Sequence, residues 1–202
     1  VGGYTAGDIA SAYPKMADYA SEVVRVAAKI GIPPEWLANV IYFESGGNPQ
    51  ARNTKSSATG LIQFISSTAA SLGTSVDALY RMSGREQMAY VDRYFAPKAG
   101  KLGSQEDVYM AVFYPKAVGN PDYRFPASVT KSNPGIYTPR DYAAMANRKA
   151  KLTPYVGAAV AEELVLASQP SRWTLTTMAP WLGLFSVTLL AGALIYRHRF
   201  RA

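Results

Sequence analysis

The chain contains no cysteine and a single histidine, His198, near its C-terminal end. Neither a disulfide framework nor a thiol nucleophile is therefore available. A Ser-His-Asp triad and a histidine-rich zinc site are excluded from the body of the protein for want of imidazole. No alternating apolar–polar run is long enough for a strand, and no internal repeat is visible, so the body reads as all-α. The chemistry left to such a chain rests on carboxylates, hydroxyls, amides and ammonium groups.

Acidic residues are in the minority: 14 Asp and Glu against 21 Lys and Arg give a net charge of +7. Arg197, Arg199 and Arg201 supply three of these charges, leaving +4 spread over the rest. Mild basicity favours an anionic partner such as cell wall or a membrane surface, and the spread gives no reason to expect specific nucleic-acid binding. The densest internal basic run, Arg148-Lys149-Ala150-Lys151, reads as a solvated helix end. The N-terminus carries no basic and apolar signal segment, so either a signal was already removed or none was made; Val1 fits loss of an initiator Met, which favours the second.

At 202 residues the sequence fits one domain with an appendage. Residues 1–16 lack clear periodicity and read as an N-terminal arm, either loop or packed segment. A domain over 17–168 follows, then a linker at 169–172, an apolar segment at 173–196 and a basic tail at 197–202. Within the domain, Asp18 to Ile30 has helical spacing, with Val23, Ala27 and Ile30 on one face. Pro33-Pro34-Glu35 opens a helix that runs to Ser45, where Gly46-Gly47 ends it. Gly60 to Leu72 is expected as a short apolar helix and Ser75 to about Met82 as another. Ser83 and Glu86 form a capping box for a helix to about Phe95. Ser104 starts a helix ending near Tyr114. Lys116 to Tyr137 reads as a long loop, and Thr138-Pro139 and Thr153-Pro154 as helix starts, the last helix ending near Ser168.

Glu44 stands out. Leu37, Ile41 and Glu44 are spaced by four and three residues, so the carboxylate shares the inward face of its helix. Apolar surroundings and the negative end of the helix dipole both disfavour the charged form and raise the pKa. A raised pKa suits a general acid near neutral pH. The glycine pair leaves room for a bulky ligand beside it.

Glu44-Ser45-Gly46-Gly47-Asn48-Pro49-Gln50-Ala51, followed by Gly60-Leu61-Ile62-Gln63-Phe64, resembles the soluble lytic transglycosylase family of the lysozyme-like superfamily. Family members typically show Glu-Ser, then Asn-Pro, then Gly-Leu-Met-Gln. The close match covers Trp36 to about Thr68, and a looser one reaches about Leu152. The resemblance implies a lysozyme-like fold, peptidoglycan glycan strands as partner, and cleavage of the MurNAc–GlcNAc bond. It implies that Glu44 is the acid/base and that Gly60, Leu61 and Gln63 shape the floor beside it. The backbone-bonding role of a glutamine at a helix start is the alternative for Gln63. Such an enzyme needs neither metal nor cofactor. Its acid protonates the glycosidic oxygen, the substrate's N-acetyl group assists, and the same carboxylate, now a base, takes the C6 hydroxyl proton as a 1,6-anhydro ring closes. The next acidic residue after Glu44 is Asp77, and this absence of a nearby second carboxylate favours ring closure. Attack by water would instead give a lysozyme product, and a glycan-binding structural membrane protein is the rival from another class.

Two departures from the family pattern stand out. Where members often carry Ser nine residues after the Glu, this chain has Asn53, which could bond the N-acetyl group. The family's Ala-Tyr-Asn-Ala-Gly segment is missing, and Ala111-Val112-Phe113-Tyr114-Pro115 is its best counterpart. Tyr114 and Tyr137 are candidate cleft residues, because tyrosine stacks on sugars and donates hydrogen bonds. With Ser45 and Phe64 they complete the candidate substrate-binding set.

Trp173 to Tyr196 carries no charge and, as a helix, would span roughly 36 Å, enough for a hydrocarbon core of about 30 Å. Trp173, Trp181 and Tyr196 fit interfacial positions. A single C-terminal transmembrane helix is expected. The arginines after it place the tail in the cytoplasm by the positive-inside rule, yet no signal peptide is visible in the sequence to export the domain. A phage particle with an internal membrane, carrying a wall-cutting enzyme for genome entry beside other virion membrane proteins as partners, reconciles the two. A bacterial inner membrane with a periplasmic domain and envelope partners is the alternative.

Overall fold

The computed structural model describes residues 3–153. The expected helix from Thr153-Pro154, the linker, the apolar segment 173–196 and the basic tail lie outside the described residues. Among the described residues no helix is long and apolar enough to cross a membrane.

The expectation of an all-α body is met. The described residues form α1 (Ala6–Ala12), α2 (Ala20–Ile30), α3 (Pro34–Ser45), α4 (Ser66–Ser71), α5 (Val76–Arg81), α6 (Gly84–Phe95), α7 (Gln105–Phe113), α8 (Ala127–Ser132) and α9 (Pro139–Asn147), with 3₁₀ turns at Pro14–Tyr19, Ala96–Lys98 and Pro115–Ala117. Among the described residues, two isolated bridges, Arg52 with Thr59 and Thr59 with Phe64, are the extent of β pairing.

Buried residues on α2 recur at helical spacing: Val23, Val26, Ala27 and Ile30. Gly31 closes this helix in the left-handed region at φ 79°, where residues with a side chain are strained. α3 begins on Pro34 after Pro33 and buries Leu37, Ala38, Val40 and Ile41 completely. It packs against α2, α7 and α9, so its last turn is held from several sides. α6 contributes Met88, Val91 and Phe95 to the same core. Each such side chain contributes roughly 1.5–3 kcal/mol by leaving water.

Of the two readings of the N-terminal arm the packed one holds: it is helical, and Ile9, Tyr13 and Met16 are core residues. A capping box between Thr5 and Asp8 starts α1. Two other expectations need correction. The segment 60–65 is not helical; the helix begins only at Ser66. Gly60 at φ 84° and Gln63 at φ 53° are left-handed, and Thr59 and Phe64 exchange two backbone hydrogen bonds across the turn. Finally, 116–137 is not wholly loop, since it contains part of a 3₁₀ turn and all of α8.

Candidate active site

Glu44 sits in the last turn of α3, just before Gly46 and Gly47 take left-handed φ values of 62° and 75°. It is half-buried. The hydroxyl of Tyr142, from α9, donates to its Oε1 at 3.4 Å. Burial pushes the Glu44 carboxyl up to about 7, against the smaller, opposite pull of the Tyr142 hydroxyl. Among the described residues no second carboxylate contributes to that shift.

A phenolic wall surrounds the acid. Tyr94 and Tyr109 are both pushed up to about 12, chiefly by burial and further by the negative charge of Glu44. Tyr142 is raised by burial and by the same charge. All three therefore keep their protons at neutral pH. The Tyr94 hydroxyl donates to Ala111 O at 2.6 Å, and Tyr109 accepts from Gln105 Nε2 at 3.1 Å. Phe113 stacks on Tyr142 with centroids 4.1 Å apart, and Phe43 meets Tyr142 edge-on at 5.6 Å. These contacts fix the ring that holds Glu44.

The other candidates from the sequence divide into two groups. Ser45 donates from Oγ to Ile41 O at 2.9 Å and is also within 3.0 Å of Leu61 O, so it joins the end of α3 to the 60–64 turn. Gly60 and Leu61 lie in that turn, and the Leu61 side chain is buried. Gln63 bonds backbone: its Nε2 donates to Gly60 O at 3.1 Å and Ala51 O at 3.4 Å. Phe64 is buried, its ring edge-on to Tyr94 at 6.2 Å. These five residues are thus knitted to the Glu44 neighbourhood.

The described contacts of Asn53, Tyr114 and Tyr137 are with residues other than Glu44. Asn53 Oδ1 accepts from the N–H groups of Lys55 and Ser56, a local turn in an exposed loop. Tyr114 packs against Tyr123 and Phe125, at 5.5 and 5.3 Å. Tyr137 is 53% exposed. At the α7 end it is Phe113, not Tyr114, whose ring stacks on Tyr142.

Sequence reasoning missed Tyr142 and Gln87. Tyr142 falls with Ala143 and Ala146 on the buried side of α9, a pattern that reads as core. The capping box of Thr138 and Asp141 fixes where that helix starts, and so the direction of Tyr142. Gln87, fully buried on α6, accepts from Leu61 N at 2.9 Å and donates to Pro49 O and Leu79 O at 2.7 and 2.8 Å. It ties the Asn48-Pro49 loop to the 60–64 turn. Nothing in its sequence neighbourhood distinguishes it from an exposed helix glutamine.

Residues 23–90 match the model of the transglycosylase SLT domain. The matched third of the chain contains Glu44, the Asn48-Pro49 loop, the 60–64 turn and Gln87. It stops short of Tyr109, Phe113 and Tyr142, which complete the wall around the acid. No curated protein and no solved structure matches the chain.

A carboxyl with a pKa near 7 holds its proton in a large fraction of molecules at neutral pH, and its conjugate base is strong enough to take one back. A concavity of about 500 Å³ is lined by Gly47, Asn48, Pro49 and Gln50, the loop that follows the end of α3.

Proposed function

We propose that this protein is a peptidoglycan lytic transglycosylase that cleaves the MurNAc–GlcNAc bond with Glu44 as its one acid/base. The observation that carries the reading is Glu44 itself: a half-buried carboxyl raised to about 7, held by one tyrosine hydroxyl, within the segment that matches the SLT domain. The protonated carboxyl gives its proton to the glycosidic oxygen as the C1–O bond breaks. The N-acetyl oxygen of the same sugar attacks C1 and carries the developing charge. Glu44, now ionised, takes the proton of the C6 hydroxyl, whose oxygen closes on C1 and releases the N-acetyl group. The carboxyl ends protonated, ready for another cycle. Tyr142 orients it throughout, and the neutral phenols of Tyr94 and Tyr109 keep the surroundings free of competing charge.

The test is mass spectrometry of the products from purified peptidoglycan, wild type beside Glu44→Gln. Anhydro-muropeptides from the wild type alone support the assignment. Reducing ends lost in the variant would make the protein a hydrolase of the same bond, and intact wall with both folded proteins would make it a glycan binder.

We further propose that residues 173–196 anchor this domain in a bilayer, favoured as the internal membrane of a phage particle used for local wall penetration. The support is the uncharged run, its aromatic ends and the arginines beyond it. Co-fractionation with particle lipid after alkaline carbonate washing tests it; release into the wash would refute an integral anchor.

A further inference from the structure

The start of α1, one side of α2 and the connection from α2 into α3 enclose a groove of about 970 Å³. Tyr4, Ala6, Val24, Ala28, Ile32 and Pro34 line it, and Glu35 is its one lining residue with a formal charge. A groove walled by aliphatic groups, prolines and a tyrosine ring favours an apolar occupant and offers little to an ion. It lies at the N-terminal end of α3. Glu44 is ten residues beyond Pro34 on that helix, about 15 Å along its axis, so an occupant of the groove leaves the acid's end clear.

The last described residue, Thr153, stands at the rim of that groove, its hydroxyl 3.5 Å from that of Tyr4. Leu152 before it is buried and fixed: its N–H donates to the Tyr13 hydroxyl at 3.4 Å, and its carbonyl accepts from Asn39 Nδ2 at 2.8 Å. The chain therefore leaves the described body at one set point, beside the groove. Next in sequence come Pro154-Tyr155-Val156-Gly157-Ala158-Ala159-Val160-Ala161-Glu162-Glu163, with no charge before Glu162. At helical spacing Val156, Ala159 and Val160 share one face, the i, i+3, i+4 pattern of a stripe that packs. An uncharged segment with such a stripe matches the character of the groove wall.

We propose that residues 154–163 dock in this groove, with Val156, Ala159 and Val160 seated against Val24, Ala28 and Ile32. The segment begins one residue after Thr153, so its effective concentration at the groove is high and a few apolar contacts suffice to hold it. The same contacts in a free peptide would be weak, because association would then cost translational and rotational freedom. The inference is independent of the chemistry at Glu44.

The chain has no cysteine of its own, so introduced pairs report without background. In the 202-residue chain in detergent, Ala28→Cys is combined in turn with Val156→Cys, Ala159→Cys and Val160→Cys, and each protein is oxidised. A disulfide needs Cα atoms about 4.4–6.8 Å apart, so at least one of the three pairs should close within the chain, seen as a mobility shift lost on reduction. It should close about tenfold faster than pairs of the same three positions with Ser128→Cys, on α8 outside the groove. Separately, Val156→Ser with Val160→Ser should lower Tm by about 5 °C, whereas Ala158→Ser with Ala161→Ser, off the apolar stripe, should lower it by about 1 °C. Disulfides formed only between chains would assign the groove to a second copy and overturn the proposal. So would failure of every Ala28→Cys pair to outpace its Ser128→Cys control, or a Tm that the two serine pairs lower alike.

Discussion

The Tyr142 hydroxyl donates to Oε1 of Glu44 at 3.4 Å, joining two residues 98 positions apart in the chain. That bond favours the ionised carboxylate, while the burial around it favours the neutral acid, and burial prevails. For an acid that must begin the reaction protonated, the alkaline limb of the rate profile is set by its own ionisation, near pH 7. Removing the hydroxyl leaves burial unopposed. Tyr142→Phe should therefore move the alkaline limb to higher pH and lower the plateau rate about tenfold through lost orientation. A pH–rate series on soluble glycan checks it; an unmoved limb would mean that the hydroxyl has no hold on the carboxyl.

The same burial makes Glu44 a cost to the fold. Its folded pKa, about 7, lies above the ordinary carboxyl value of 4.5. A carboxyl raised in the folded state binds its proton more tightly there than in the unfolded chain. Stability is then lost as pH climbs from about 4.5 to 7, and the loss stays constant above that window. Glu44→Gln removes the ionisation and keeps the shape. It should be more stable than the wild type at pH 8 by about 2–3 kcal/mol, or about 5 °C in Tm, with the gap closing toward pH 4.5. Thermal unfolding of both proteins at a series of pH values measures it, and a gap independent of pH would count against a buried, titrating Glu44.

Much of this arrangement is legible locally. Pro34 and Gly46 bound α3, the Ser83–Glu86 capping box opens α6, and the Leu37, Ile41, Glu44 spacing puts the acid on the inward face. Each depends on residues within a turn or two of one another. What the sequence conceals depends on distant partners. Leu61 and Ile62 look like the start of a helix, but the backbone at Gly60 and Gln63 turns left-handed against Gln87, 26 residues from Leu61. Tyr142 looks like core because Ala143 and Ala146 are core, and its bond to Glu44 exists only once α9 has packed on α3. The basic run at 148–151 is solvated as it reads, but that its backbone is held by Tyr13, 138 residues away, is invisible locally.

Gly60 makes the close approach of the turn to α6 possible. A Cβ there would overlap Gln87 Oε1 and lie 3.0 Å from its Cδ, and the residue sits at φ 84°. Gly60→Ala should cost about 2–4 kcal/mol, from strain at a left-handed position and from displacing a buried, fully bonded amide. Gln87→Leu, which strands Leu61 N–H and two carbonyls, should cost a similar amount. Urea unfolding gives both values. The two losses should also be strongly non-additive in the double variant, because each disrupts the same contact; simple addition would show that the turn and Gln87 act independently.

Tyr13 offers a sharper separation of support from chemistry. Its hydroxyl serves Asn39 and the N–H groups of Lys151 and Leu152, while its ring stacks on Tyr42. Tyr13→Phe keeps the ring and deletes the hydroxyl, leaving Asn39 Oδ1 and two backbone donors without that partner. The expected loss is about 2–3 kcal/mol, since unsatisfied buried polar groups lose their hydration without recompense. It should be felt first where the hydroxyl acts: amide hydrogen exchange at Lys151 and Leu152 should accelerate well beyond the global change, while the amides of α6 follow global stability alone. Uniform acceleration across both regions would mean that the hydroxyl stabilises the core generally and does not specifically hold the 148–152 segment. The described contacts favour the local outcome, because all three hydroxyl partners lie on α3 or in that segment and none on α6.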